Sequence, residues 1–429
     1  MSHGAQSISA EQIRSVVTAE PFEVNGQVKT ILLAAVAVGI AGLVLGFLGD
    51  ARATWVSVQV NFLFWFAIAA ASTGFSAVIH ICNAEWARPV RRLYESSSVY
   101  LLYAFVPLVA LWLIGGPHLF VWFHEKIDGK ELWLTPAFVY GRGLFAVVFL
   151  GYLMRRVVHY TIRRDLGAIR SGLCGVDKKD AARWMDSSYD SYLTGWQEAP
   201  EKEVAAATSR IGRLSPAVVI FYAVLMTFIA FDQIMSVDPH WFSTLFGALY
   251  FMSAVYAASA FMAILVPFAC SVNPVFRALV KKSTLHDLGK LLFGFGIFWA
   301  YMFWSHYLPI WYGNIPEETG WVITRLREQP WQSFAWVTLA LSFIIPFLIG
   351  LSRDVKQIPL GLALTGVIVL VGMWLQFYLL FAPTLYPHEI PLGIKDLLIT
   401  LGFFGVYSLG CISFLRRVPL VPVGDIAHH

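Results

Sequence analysis

Ten apolar runs, each close to twenty residues or longer, punctuate this sequence. They constrain the fold more than any other feature. A bilayer core about 30 Å thick is crossed by about 20 residues of helix. Within lipid a spanning segment must satisfy its own backbone polar groups, which a helix does by itself. The runs lie at 30–48, 55–82, 97–114, 134–154, 214–235, 242–269, 287–308, 331–351, 358–382 and 396–415. They predict an all-α, polytopic integral membrane protein of about ten transmembrane helices. Composition agrees. Charged residues make up 14% of the 429, against about 25% in an ordinary soluble domain. Disorder is excluded and a soluble enzyme is a poor fit. The net charge of +4 is too small to point to nucleic acid.

The basic residues set the expected orientation. With ten spans both termini share a side. That side carries 23 of the 31 lysines and arginines, the opposite side six, and Arg142 and Lys290 fall within spans. Short loops rich in Lys and Arg stay cytoplasmic, so the side holding the termini is expected to face the cytoplasm. The expected organisation is a cytoplasmic segment 1–28, spans 1–4 within 29–154, a polar cytoplasmic connection 155–213, spans 5–10 within 214–415, and a cytoplasmic tail 416–429. The polar N-terminal segment lacks the pattern of a cleaved secretory signal.

Ionisable groups at membrane depth are costly and are functional candidates. Arg142 lies within span 4 between two glycines. It stays charged and must face a carboxylate, carbonyls or a polar ligand. It serves either as half of a structural ion pair or in a proton path or quinone pocket. Asp232, Asp238 and His240 lie near the hairpin between spans 5 and 6, which has no lysine or arginine. Such groups relay protons or bond a quinol hydroxyl. Alternatively, Asp238-Pro239 opens span 6 with Ser243 or Thr244 as its cap. His306, near the non-cytoplasmic end of span 7, and His80, at the cytoplasmic end of span 2, stand at opposite depths. One haem held by both is geometrically poor. Asp287 and Lys290 share a helix face. They act as helix cap and snorkelling lysine, or with His80 and Glu85 as a cytoplasmic proton entrance.

Cys82, Cys174, Cys270 and Cys411 are isolated, which argues against zinc, iron–sulfur or covalent haem sites. No metal site is expected. No phosphate-binding or dinucleotide fingerprint is present, so redox chemistry would come from a lipid-soluble carrier or from partner subunits.

Three ordered stretches carry a resemblance. The first is Asp232-Gln233-Ile234-Met235-Ser236-Val237-Asp238-Pro239-His240-Trp241-Phe242-Ser243-Thr244-Leu245-Phe246-Gly247. The second is Asp287-Leu288-Gly289-Lys290-Leu291-Leu292-Phe293. The third is Phe298-Trp299-Ala300-Tyr301 followed by Ile310-Trp311-Tyr312-Gly313-Asn314-Ile315-Pro316-Glu317-Glu318-Thr319. Together they resemble the NrfD-like (polysulfide reductase membrane subunit) family, in the form found in bacterial alternative complex III, a quinol:electron-acceptor oxidoreductase. Gln233 and His306 depart from that pattern, standing where Trp and Gln are expected.

The resemblance implies two four-helix bundles with flanking helices and no covalently bound cofactor. It implies a quinone or menaquinone and lipids as ligands. The implied partners are a sister NrfD-like subunit, an iron–sulfur subunit and c-type cytochromes in a bacterial inner membrane. The expected function is support of quinol oxidation in a respiratory or photosynthetic chain, with proton translocation an accompanying expectation. The alternative is a scaffold that anchors partners without quinone or proton role.

Overall fold

The computed structural model describes residues 10–196 and 199–425. The first nine residues of the segment 1–28 and the last four of the tail lie outside the described residues. No strand occurs among the described residues. Ten helices are long and apolar enough to cross a membrane, so the chain is an all-α, multi-pass membrane protein.

A short helix α1 (Ala10–Thr18) precedes the spans. The spans are α2 (Gly26–Leu48), α3 (Ala51–Ile81), α4 (Arg91–Leu119), α5 (Pro136–Ser171), α6 (Pro200–Gln233), α7 (Phe246–Val272), α9 (Lys282–Gly313), α11 (Trp331–Leu351), α12 (Pro359–Leu385) and α13 (Ile394–Arg417). Between them lie α8 (Pro274–Leu279) and α10 (Pro316–Leu326). Helices α3 to α6 pack as one four-helix bundle, and α7, α9, α11 and α12 as a second; α2 and α13 flank them. Helix α3 is central: it touches α4, α5, α6, α7, α12 and α13, and its side chains from Ala53 to Gly74 are all buried.

Local sequence explains the ends. Asn25 accepts a bond from the Gln27 amide to open α2, and Asp50 accepts one from Ala53 to open α3. Each satisfies an amide that the first turn leaves free. Helix α2 lies along α13 on glycines. A methyl group added at Gly39 would stand 2.3 Å from the Gly402 Cα. Small residues let membrane helices approach this closely.

Prolines shape the interior. Helix α4 is not one smooth rod: it contains a 3-10 stretch, Ser97–Leu102, and a π stretch, Leu111–Gly115, around Pro107. Helix α11 has a π stretch, Ala340–Ile344, before Pro346. There Ser342 O accepts from the Tyr256 hydroxyl at 2.8 Å. A neighbouring helix thus serves a backbone group that the bulge releases.

Several boundaries differ from the apolar runs. Helices α5 and α6 continue well past positions 154 and 214, to Ser171 and back to Pro200. Most of the polar connection is therefore helix, and both extensions carry buried residues. Helix α7 begins at Phe246 with Leu245 as a cap that has no side-chain bond. The reading of Asp238, Ser243 and Thr244 as helix start is thereby corrected. The segment ahead of α7 is instead a loop pinned by Trp241, whose ring stacks on Trp321 at 4.2 Å. Likewise Asp287 does not cap α9, which begins five residues earlier at Lys282.

The described N-terminal and C-terminal segments meet at the end that carries the Arg-rich segments, called here the basic end. The Trp184 indole donates to Val17 O, Arg183 donates to Arg416 O, and Arg416 pairs with Glu23. The tail folds inward beneath this cap, with Val421 and Val423 buried.

Candidate functional site

Two groups of sequence candidates gather at the far end. The first is Arg142 with Asp232. Helix α5 and helix α6 run side by side and bring them together. Arg142 Nε donates to Asp232 Oδ2 at 3.0 Å and Nη2 to Oδ1 at 2.8 Å. Nη2 also donates to Trp133 O, and the guanidinium lies 3.8 Å from the Trp133 ring centroid. Asp232 is 1% exposed and Arg142 16%. The carboxylate that Arg142 requires is thus supplied through a two-point contact, the geometry in which this pair is strongest. Beside it, Gln233 accepts from Gln59 Nε2 of the central helix through both its main-chain oxygen and Oε1.

The second group surrounds His306. Its ring sits edge-on to Trp241 and Trp321 and near Phe246. His306 is buried, and its Nε2 has no hydrogen-bond partner. It lines a cavity of about 690 Å³ enclosed by α7, α9, α10, α11 and α12. Trp299, Phe303 and Trp321 give it aromatic walls, and Gln376 is its main buried polar neighbour. Gln376 is fixed, accepting from Trp299 Nε1 and donating to Ser253 Oγ. Trp304, Trp336 and Ile344 also line the cavity and are exposed on the outer face, so it reaches the lipid-facing surface between α9 and α11.

The wall is braced by Arg325 of α10. Its guanidinium lies 3.7 Å from the Trp321 ring centroid. Nε donates to Leu379 O at 3.0 Å, and Nη2 to Leu380 O and Thr384 Oγ1. Pro383 lacks the amide that would bond Leu379 O within α12; Arg325 serves that carbonyl instead. Burial works against the Arg325 charge, and the nearby Asp238 carboxylate supports it. His240 is exposed.

The candidates at the basic end separate. Glu85 pairs with Arg88, and Asp287 with Lys290 at 2.6 Å, each a local contact. His80 instead faces an ionic network that the sequence reading did not assemble. Arg92 there bonds Glu95, Asp165 and Thr161. Arg91 and Arg164 both bond Asp425 of the tail, and the Gly424 amide donates to Asp165. Arg91, Arg92, Glu95, Arg164 and Asp165 are all at most 2% exposed. Burial raises the Asp425 carboxyl, but Arg91 and Arg164 outweigh it and hold the group well below the usual carboxylate range. One signal in the sequence was the charge cluster Arg88 to Glu95 placed directly against an apolar run.

Among the described residues no group of three or more His, Cys, Asp or Glu side chains gathers as a metal site. Comparison of the sequence with protein-family models and with curated proteins finds no match.

Proposed function

We propose that this chain is an integral membrane subunit of a quinol:electron-acceptor oxidoreductase of the alternative complex III kind, and that it holds a quinone, menaquinone included, beside His306. In this reading it lies in a bacterial cytoplasmic membrane with both termini in the cytoplasm. Its partners are a sister NrfD-like subunit, an iron–sulfur subunit and c-type cytochromes, which receive the electrons.

The observation that carries the reading is the aromatic cavity lined by His306, a buried histidine whose Nε2 has no hydrogen-bond partner. Ligand pockets of about 300–1,000 Å³ with few, well-placed polar groups suit flat aromatic headgroups. Neutral His306 Nε2 accepts from a quinol hydroxyl in one tautomer and donates to a quinone carbonyl in the other. Trp321, with its two faces covered by Trp241 and Arg325, forms a rigid wall of the cavity. The lipid-side mouth suits a ligand with an isoprenoid tail.

The test is quinone content. The complex is purified in mild detergent, and quinone is extracted and counted per chain for wild type and His306→Phe. The expected result is loss of one quinone per complex with assembly intact. Unchanged quinone content in a correctly assembled variant would remove His306 from the site.

One observation favours a second reading. Both Asp232 oxygens are held by Arg142, which suits a structural brace better than a proton carrier. Under that reading the chain anchors partners and lipid without a quinone or proton role.

A further inference from the structure

We propose that Arg91 and Arg164 form an anion clamp at the basic end, filled here by Asp425 of the chain's own tail, which a phosphate group occupies when the tail withdraws. The phosphate is either free or the headgroup of an anionic phospholipid. The proposal is independent of the quinone reading.

Three observations carry it. The first is geometry. Asp425 Oδ2 lies 2.5 Å from Arg91 Nη1, and Oδ1 lies 2.8 Å from Arg164 Nη1. Two guanidinium groups converge on the two oxygens of one anion. The second is unmet donor capacity. Nε and Nη2 of both arginines are buried without a hydrogen-bond partner, as is His80 Nε2 nearby. A carboxylate reaches one nitrogen of each arginine. A phosphate, with more oxygens, can engage several. The third is charge. Without Asp425, Arg91, Arg92 and Arg164 face only Glu95 and Asp165, leaving one positive charge uncompensated in a buried place. Such a site needs an anion.

The exchange has an evident route. Asp425 is 21% exposed while the two arginines are 2% exposed. The carboxylate is therefore the mouth of the clamp. Among the described residues the tail has no regular helix beyond Arg417, and it docks through Gly424, which has no room for a side chain. A Cβ there would meet Asp165 Oδ1 at 2.9 Å and Arg164 O at 3.0 Å. Gly424→Ala therefore weakens the tail, and its methyl abuts the Arg164 main chain and Asp165 Oδ1 rather than either clamp guanidinium.

The test uses the full chain in detergent, titrated with inorganic phosphate by calorimetry against chloride of equal ionic strength. Gly424→Ala is expected to bind phosphate ~tenfold more tightly than wild type, and Gly424→Ala with Arg164→Ala to lose that binding. Mixed micelles of phosphatidylglycerol against phosphatidylcholine tell a headgroup from free phosphate; specific binding of either supports the clamp. A second measurement needs no tail weakening. Val423→Cys, buried at 0%, should react faster with maleimide in phosphate than in chloride, with the adduct located by peptide mass. The proposal is overturned if affinity is equal in all three proteins, if chloride matches phosphate and phosphatidylglycerol binds no better than phosphatidylcholine, or if labelling ignores both anions.

Discussion

Replacing Arg142 by Met would leave the Asp232 carboxylate 1% exposed and without its two-point partner. Breaking a buried ion pair from one side costs about 3–5 kcal/mol. The opposite change, Asp232→Leu, is milder. Arg142 is 16% exposed, keeps its bond to Trp133 O, and still lies against the Trp133 and Phe138 rings. A charged group with those contacts loses about 1–3 kcal/mol. Replacing both removes the uncompensated charge, and buried pairs exchanged for apolar residues are often near neutral. The double-mutant cycle should therefore show a coupling of about 2 kcal/mol or more. Equilibrium unfolding in mixed micelles, followed by tryptophan fluorescence, measures all four proteins. Two results would refute the reasoning: Arg142→Met no worse than Asp232→Leu, or effects that simply add. Additive effects with an altered proton-to-electron ratio in the assembled complex would return Asp232 to a relay role.

Further changes probe other contacts. Gly402→Leu should push α2 off α13 and cost about 1–3 kcal/mol as overpacking, read as faster proteolysis of the α2–α3 turn. Arg325→Met strands the carbonyl of Leu379, removes a donor from Leu380 O and frees one face of Trp321. It should cost about 1–3 kcal/mol and lower quinone content together with stability. Asp425 has a folded pKa below its unfolded value of about 3.9. Its stabilisation is therefore present above that value and is lost as pH falls below it. Amide exchange of residues 418–425, corrected for intrinsic rate, should show constant protection from pH 8 to about pH 5 and a decline that sets in only below about pH 4; loss already near pH 6 would contradict this.

The spans were legible because bilayer thickness and helix rise fix a length that hydropathy reveals. Which span lies inside was not legible. Helix α2 is among the most apolar yet is largely exposed, whereas α3, with Ser57, Gln59, Asn61, Ser72 and Thr73, is buried almost throughout. In lipid the polar residues mark the centre, reversing the soluble rule. The need of Arg142 for a partner could be read from one residue; the identity of that partner required the α5–α6 packing. The His306 cavity was not legible either, since its walls come from five helices far apart in sequence. Arg164 and Asp165 lie in the polar connection and Asp425 in the tail; polarity alone does not reveal that these segments fold inward.

The basic-end network also bears on how such a chain is made. In the proposed orientation Arg91, Arg92 and Arg164 count among the basic residues that would orient the spans, yet in the finished fold they are almost fully buried. In that orientation their electrostatic influence would act early, while the nascent segments are still open to the membrane surface. Asp425 emerges only after all ten spans have been synthesised. Until then the cluster keeps a surplus positive charge that favours its own side of the bilayer. Docking of the tail cancels that charge, turning a transient topological signal into a permanent core.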